Sequence, residues 1–156
     1  MISDKILFAM LYHNEFESVT WETCLLRAWL NDKFYNTVFD DSIRAAIVTT
    51  NNNNPSNSES HTPGGDDTID NVFLLSIDEA NKYFETDEAR VASGTEYAKS
   101  MRLHVEDNGN SWWWLRSPGD DQNRAATVND VGDVNDFPVD FASGVRPACW
   151  VDISNL

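Results

Sequence analysis

Basic residues are scarce in this chain. Eleven lysines and arginines stand against 26 aspartates and glutamates, a net charge of −15 over 156 residues. That deficit excludes the clustered cations that grip a phosphate backbone, so no nucleic-acid partner is expected. It equally excludes the polybasic stretches that adhere to anionic lipid. Long apolar runs are missing too. The run Ile6-Leu7-Phe8-Ala9-Met10-Leu11 falls far short of the ~20 residues that a spanning helix needs, so no membrane insertion is expected. Met1 to Phe16 carries Asp4, His13 and Glu15 close to its apolar residues. It has no basic start, no sustained apolar region and no small-residue cleavage site, so it does not read as a secretory signal. If the protein is exported, the expectation is that it travels as part of a particle or of a longer chain. Only two cysteines occur, Cys24 and Cys149, with no CxxC, which excludes a cysteine-rich zinc site. Two buried free thiols and one long-range disulfide both remain open.

The motifs of catalysis are absent as well. There is no HExxH, GxSxG, GxGxxG or P-loop. His13, His61 and His104 lie far apart in sequence and each reads as a surface residue. With no convergent reactive set, no catalytic residue is nominated and no enzyme is expected.

What is present is a globular composition: 41% hydrophobic and 12% aromatic residues. The length suits one domain, able to bury a core without staples. Trp21, Cys24, Leu25 and Trp29 recur at helical spacing, with Thr20 as cap, Glu22 in the first turn and Asn31-Asp32 as the stop. Asp41 to Val48 reads as a second short helix. Residues 49–68 are nearly devoid of apolar groups and read as a solvated, mobile insertion, with an aggregation-prone or ligand-contacting tract as the alternatives. Val72 to Leu75 reads as a buried strand. Ser76-Ile77-Asp78-Glu79 forms a capping box that opens a helix to about Phe84. Residues 86–110 show little periodicity.

The character then changes. Ser111 to Gly119 is an aromatic strand closed by Pro118-Gly119. Segments 125–129 and 132–135 alternate apolar with polar around Asp130-Val131-Gly132, as a hairpin does. Val145 to Ile153 reads as a final strand. The fold class is therefore α+β: one domain over 1–156, early helices, and a small irregular antiparallel sheet over 112–153. In a strand, Trp112 and Trp114 share one face and Trp113 takes the other, so at least one face is core. Arg116 and Arg146 read as structural ties between late strands and loops rather than as an anion site. Asp66, Asp67 and Asp70, and Asp120 with Asp121, read as solvated charge. Their oxygens leave calcium open, though neither set has EF-hand spacing. No other cofactor is expected.

The blocks WWLRSPG at 113–119, VGDV at 131–134 and GVRPA at 144–148 bring a family into view, together with TWETCLLRAWLNDKFY at 20–35, VFLLSIDEANKYF at 72–84 and GTEYAKS at 94–100. In this order, spanning nearly the whole chain, they resemble a bacterial and phage domain family of unassigned function. That family looks like a branch of the C-type-lectin-like fold, near the formylglycine-generating-enzyme type. One departure lies at the front, where the family usually carries another strand. The enzyme branch oxidises with cysteines. Here the late cysteine, Cys149, lies in an apolar ACWV context, which speaks against that activity. The resemblance implies a disulfide between Cys24 on the first helix and Cys149 on the last strand, and a place on a cell surface or phage particle.

Some members of such families are variable proteins of diversity-generating retroelements, which randomise adenines in a copied repeat. Asparagine codons then yield only residues whose codons end in C or T, never Lys, Glu, Gln, Met or Trp. Residues 123–143 contain none of those five. Chance composition of a polar hairpin explains the same fact, since Asp and Asn are ordinary turn residues. On the diversified reading, the outward ligand-binding candidates are Asp121, Asn123, Arg124, Thr127, Asn129, Val131, Asp133, Asn135, Phe137, Asp140 and Phe141. Phe137 and Phe141 would be apolar anchors, with the carboxylates choosing polar or basic partners. The expected function is recognition of a protein or other macromolecule; the alternative is a fixed structural or glycan-binding module.

Overall fold

The computed structural model describes residues 1–155. In chain order its elements are β1 (Phe8–Leu11), α1 (Leu25–Trp29), a π turn (Leu30–Phe34), α2 (Tyr35–Val38), α3 (Asp41–Ala46), β2 (Ile47–Val48), β3 (Thr50–Asn52), β4 (Thr68–Asp70), α4 (Ile77–Tyr83), α5 (Asp87–Arg90) and α6 (Glu96–Ser100). There follow β5 (Trp113–Pro118), β6 (Arg124–Val128), β7 (Val134–Pro138), β8 (Ala142–Val145), β9 (Trp150–Val151) and a closing 3-10 turn, Ile153–Asn155. The class is α+β, as expected. Among the described residues no helix is long and apolar enough to cross a membrane.

The first helix differs from its expected bounds at both ends. Thr20 closes a turn instead of capping, its carbonyl accepting from Cys24 N at 3.0 Å. The cap is Cys24, whose Sγ accepts from Arg27 N at 3.4 Å. Asn31-Asp32 does not stop the helix. The Asn31 amide is spent across the fold: Oδ1 accepts from Asn71 N and Val72 N, and Nδ2 donates to Val72 O at 2.8 Å. Nδ2 also donates back to Arg27 O at 3.2 Å, a bond along the helix itself, and the helical segment runs on through a π turn.

The main sheet has the order β1-β8-β5-β6-β7. β8 is antiparallel to β1 and parallel to β5, and β5, β6 and β7 form an antiparallel meander. The first strand thus sits beside a strand from the end of the chain. Gly144 pairs with both Ala9 and Trp113, and a Cβ there would lie 2.6 Å from Trp112 O, so only glycine fits. The expected final strand is broken in two. β8 ends at Val145, and β9 leaves the main sheet to pair with β2. Val72–Leu75 is buried but forms no ladder; Phe73 makes a single bridge to Ala148.

Segment 49–68 is exposed over much of its length, as expected, but it is tied into the fold at several points. Its ends pair as β3 and β4, and Asn52, Asn54, Thr62 and Thr68 are buried. Asn52, Asn54 and Thr68 are recruited by buried charges, and the Thr62 hydroxyl donates to Asp120 O at 2.6 Å. The Asp70 carboxylate accepts from Trp21 Nε1 and Asn52 Nδ2 at 3.0 Å, from Thr68 Oγ1 at 2.8 Å and from Arg27 Nε at 2.6 Å. Asp70 is therefore a structural hub and not a free calcium ligand.

Arg116 is the second hub, only 4% exposed. It donates to both Glu79 carboxylate oxygens, to Leu74 O at 2.9 Å, Asn54 Oδ1 at 3.2 Å and Asn53 O at 3.3 Å. Glu79 is also the return arm of the expected capping box, accepting from Ser76 N at 2.9 Å. Arg146 lies 4.5 Å from the Trp113 ring and donates to Ser3 O and Arg90 O; burial pulls its pKa down to about 10. Both arginines are structural ties, as expected. Replacing Arg116 with Met strands Glu79 and three acceptors, and should cost about 3 kcal/mol. The check is the urea midpoint, which should fall with an unchanged slope.

Candidate functional site

The C-terminal candidates converge on the β6–β7 hairpin and the turn after it. The tip is tightly built. Asn129 Oδ1 accepts from Val131 N at 3.1 Å and Asp133 N at 2.9 Å, and Asn129 N donates to Asp133 O. Gly132 turns the chain at φ +97, with its backbone so close to Asp87 that no Cβ fits. Its carbonyl accepts from Arg90 Nε at 2.8 Å, pinning the tip to α5.

On this frame Asp121, Val131, Asp133, Asn135 and Phe141 are exposed, while Asn123, Arg124, Asn129, Phe137 and Asp140 are half-buried. Arg124 is tied to Asp136 Oδ1 at 2.6 Å, and Asp136 Oδ2 accepts from Asp120 N. Thr127 is a correction: it is 0% exposed. It sits mid-strand between Trp114 of β5 and Asn135 of β7, covered on both sides, and its hydroxyl has no partner.

Beside the hairpin lies an aromatic cleft. Trp113 and Trp114 are fully buried, so both faces of β5 are core, and Trp112, just before the strand, is half-exposed. Phe137 stands 5.9 Å from the Trp112 ring, 6.3 Å from Trp114 and 5.6 Å from Phe141. Phe137 is thus an anchor shared with the core, and Phe141, 56% exposed, is the free one. A cleft of about 200 Å³ opens between Trp112, Phe137, Leu103, Ala142 and Ser143, with His104 and Glu106 on its rim. His104 Nε2 lies 3.3 Å from Glu106 Oε1. The Ser143 hydroxyl is buried without a partner, a deficit worth about 1–3 kcal/mol. Leu103, His104 and Glu106 were not legible as site residues, because segment 86–110 carries no periodic signal. A second, polar cleft of about 370 Å³ borrows Asn135 and Asp136 from the hairpin, with Asn57, Asp78, Asn81 and Asp120 opposite.

The disulfide is the other correction. Cys24 and Cys149 are both free thiols, and both are buried. Cys24 Sγ is engaged at the helix start, donating to Trp21 O at 3.4 Å, and burial pushes its pKa up to about 12. Cys149 lines an apolar recess beside Met1, Ile2 and Ala148, its pKa likewise raised by burial. Neither is an activated nucleophile.

The chain belongs to DUF6273, a domain family of unknown function, which it matches over residues 1–153. No curated protein and no solved structure matches it. The match covers the early helices, Asp70, Arg116, Arg146 and the hairpin, so the aromatic cleft lies within the family's domain.

Residues 125–128 of β6 are buried, while Val131 at the tip and Phe141 after β7 are exposed, and substitutions should separate the two sets. Thr127→Val removes an unpartnered hydroxyl and should leave stability unchanged or raise it by up to about 1 kcal/mol. Thr127→Asp buries a charge and should unfold the domain. Val131→Asp and Phe141→Ser should each stay within about 0.5 kcal/mol of the parent. Thermal or urea unfolding of the four variants checks the ordering.

Proposed function

We propose that this chain is a non-catalytic recognition domain whose ligand face is the β6–β7 hairpin together with the cleft beside Trp112. The observation that carries the reading is the separation of duties along one hairpin. Ala125, Ala126, Thr127 and Val128 are buried, while Val131, Asp133, Asn135 and Phe141 reach solvent from a frame fixed by hydrogen bonds. A frame of that kind holds many different side chains without loss of fold.

The finer assignments follow from the same features. A first strand paired beside a late strand, with helices between, supports a C-type-lectin-like arrangement. Segment 123–143, free of Lys, Glu, Gln, Met and Trp, contains the exposed positions Val131, Asp133, Asn135 and Phe141, which supports a diversified surface. The chemistry of the face points to a basic macromolecular partner. Between 120 and 143 six aspartates accompany one arginine, and that arginine is held by Asp136. Binding to such a partner weakens as salt rises.

Sequencing this gene's 3′ region across a population of its source tests the reading. Substitutions should concentrate in the codons of Val131, Asp133, Asn135 and Phe141 and spare those of Ala125 to Val128, with a near-copy repeat nearby. If codons 120–143 vary no more than the rest and no repeat exists, the diversified surface is wrong and the domain is a fixed module.

A further inference from the structure

We infer that the cleft beside Trp112 is an arginine-side-chain subsite, the place where a basic protein partner inserts one guanidinium. The inference rests on the binding-face reading and names the chemistry of its deepest point. Two features of the cleft and a pairing found elsewhere in the fold converge on that ligand.

The walls are aromatic. Trp112 and Phe137 meet at 54° with ring centroids 5.9 Å apart, and Phe141 extends the surface at 5.6 Å from Phe137. A planar cation stacks on such rings, while its own weak hydration lets it leave water at low cost. The rim is anionic, with Glu106 at the mouth and no lysine or arginine among the lining residues. A carboxylate there offers two oxygens to a guanidinium fork. His104 holds one Glu106 oxygen at 3.3 Å through an imidazole that is itself largely exposed, a contact that an incoming fork can replace. Finally, the same pairing already occurs inside this fold. The Arg146 guanidinium lies 4.5 Å from the Trp113 ring and 5.3 Å from Phe84, and that of Arg116 lies 5.8 Å from Phe73.

A neutral planar group would use the rings but not Glu106. A sugar ring would use Trp112 and the rim without regard to charge. The net charge of −15 and the aspartate-rich hairpin favour the cation over both.

The test is a titration of the isotopically labelled protein at constant ionic strength with Nα-acetyl-arginine amide, followed by amide and indole N–H shifts. The neutral isostere Nα-acetyl-citrulline amide and methyl glucoside are run in parallel. The expected result is saturable movement of the Trp112 indole and the Ala142 and Ser143 amides with the arginine probe alone. Glu106→Gln, a change on the solvent rim, should weaken that binding about fivefold. Equal response to the citrulline probe, a response to the glucoside alone, no response, or an affinity untouched by Glu106→Gln each overturns the inference. If the arginine probe fails while codon variation still clusters on the hairpin, the subsite falls and the binding face stands. If the probe binds and the codons do not vary, the subsite stands and the diversified surface falls.

Discussion

The fold hangs on a buried guanidinium. Arg116 sits in the central strand β5 and reaches backwards through the chain to the end of the 72–75 segment, to the capping box of α4 and to the asparagine-rich stretch after β3. Each of those regions is poor in regular ladders and could not hold its own position. An arginine is suited to this because its planar fork has five donors in fixed directions. The cost of burying it is offset only when acceptors meet nearly all of them. Glu79 serves twice, closing the helix cap and countering the charge. The strand that carries Arg116 also carries Trp113, Trp114 and Leu115, all fully buried, so one stretch of sequence supplies both the apolar core and the polar tie.

That anchoring explains why the hairpin can be presented at the edge. β6 is sandwiched, and β7 is the outermost strand, a position that invites unwanted pairing. Its open side is blunted locally. Asp136 N is taken by the neighbouring Asn135 Oδ1 at 2.8 Å, Pro138 has no N–H to offer, and Arg124 reaches Asp136 O at 3.4 Å. Pairing with an added strand is thereby disfavoured, so on the proposed binding face side chains rather than backbone would meet a ligand.

Much of this was legible in the sequence where one local rule sufficed. The capping box at Ser76 and Glu79, the hairpin around Asp130-Val131-Gly132 and the structural character of Arg116 and Arg146 each follow from short-range chemistry. The failures share a cause, namely partners distant in sequence. Asn31 looks like a helix stop until Val72 claims its amide. Asn52, Asn54 and Thr68 look like loop residues until Asp70 and Arg116 draw them inward. Thr127 looks outward on a period-two strand, yet β6 has neighbours on both sides and the face it shares with Trp114 is covered. The cleft was invisible for the same reason: Glu106 and His104 lie in an aperiodic stretch that only the fold brings against Trp112.

The electrostatic consequence is larger than the bulk charge suggests. Of the eleven basic residues, Arg27, Arg44, Arg90, Lys99, Arg116 and Arg124 are committed to carboxylates of this same chain. Arg146 is buried against Trp113 and Phe84. Most of the arginines are therefore tied into the fold, while Lys5, Lys33, Lys82, Lys99 and Arg102 are exposed among a larger number of carboxylates. A net charge of −15 gives a field that favours basic partners at long range and opposes approach of a second copy. Around Trp112, where rings and a rim carboxylate converge, that general attraction acquires a specific point of contact.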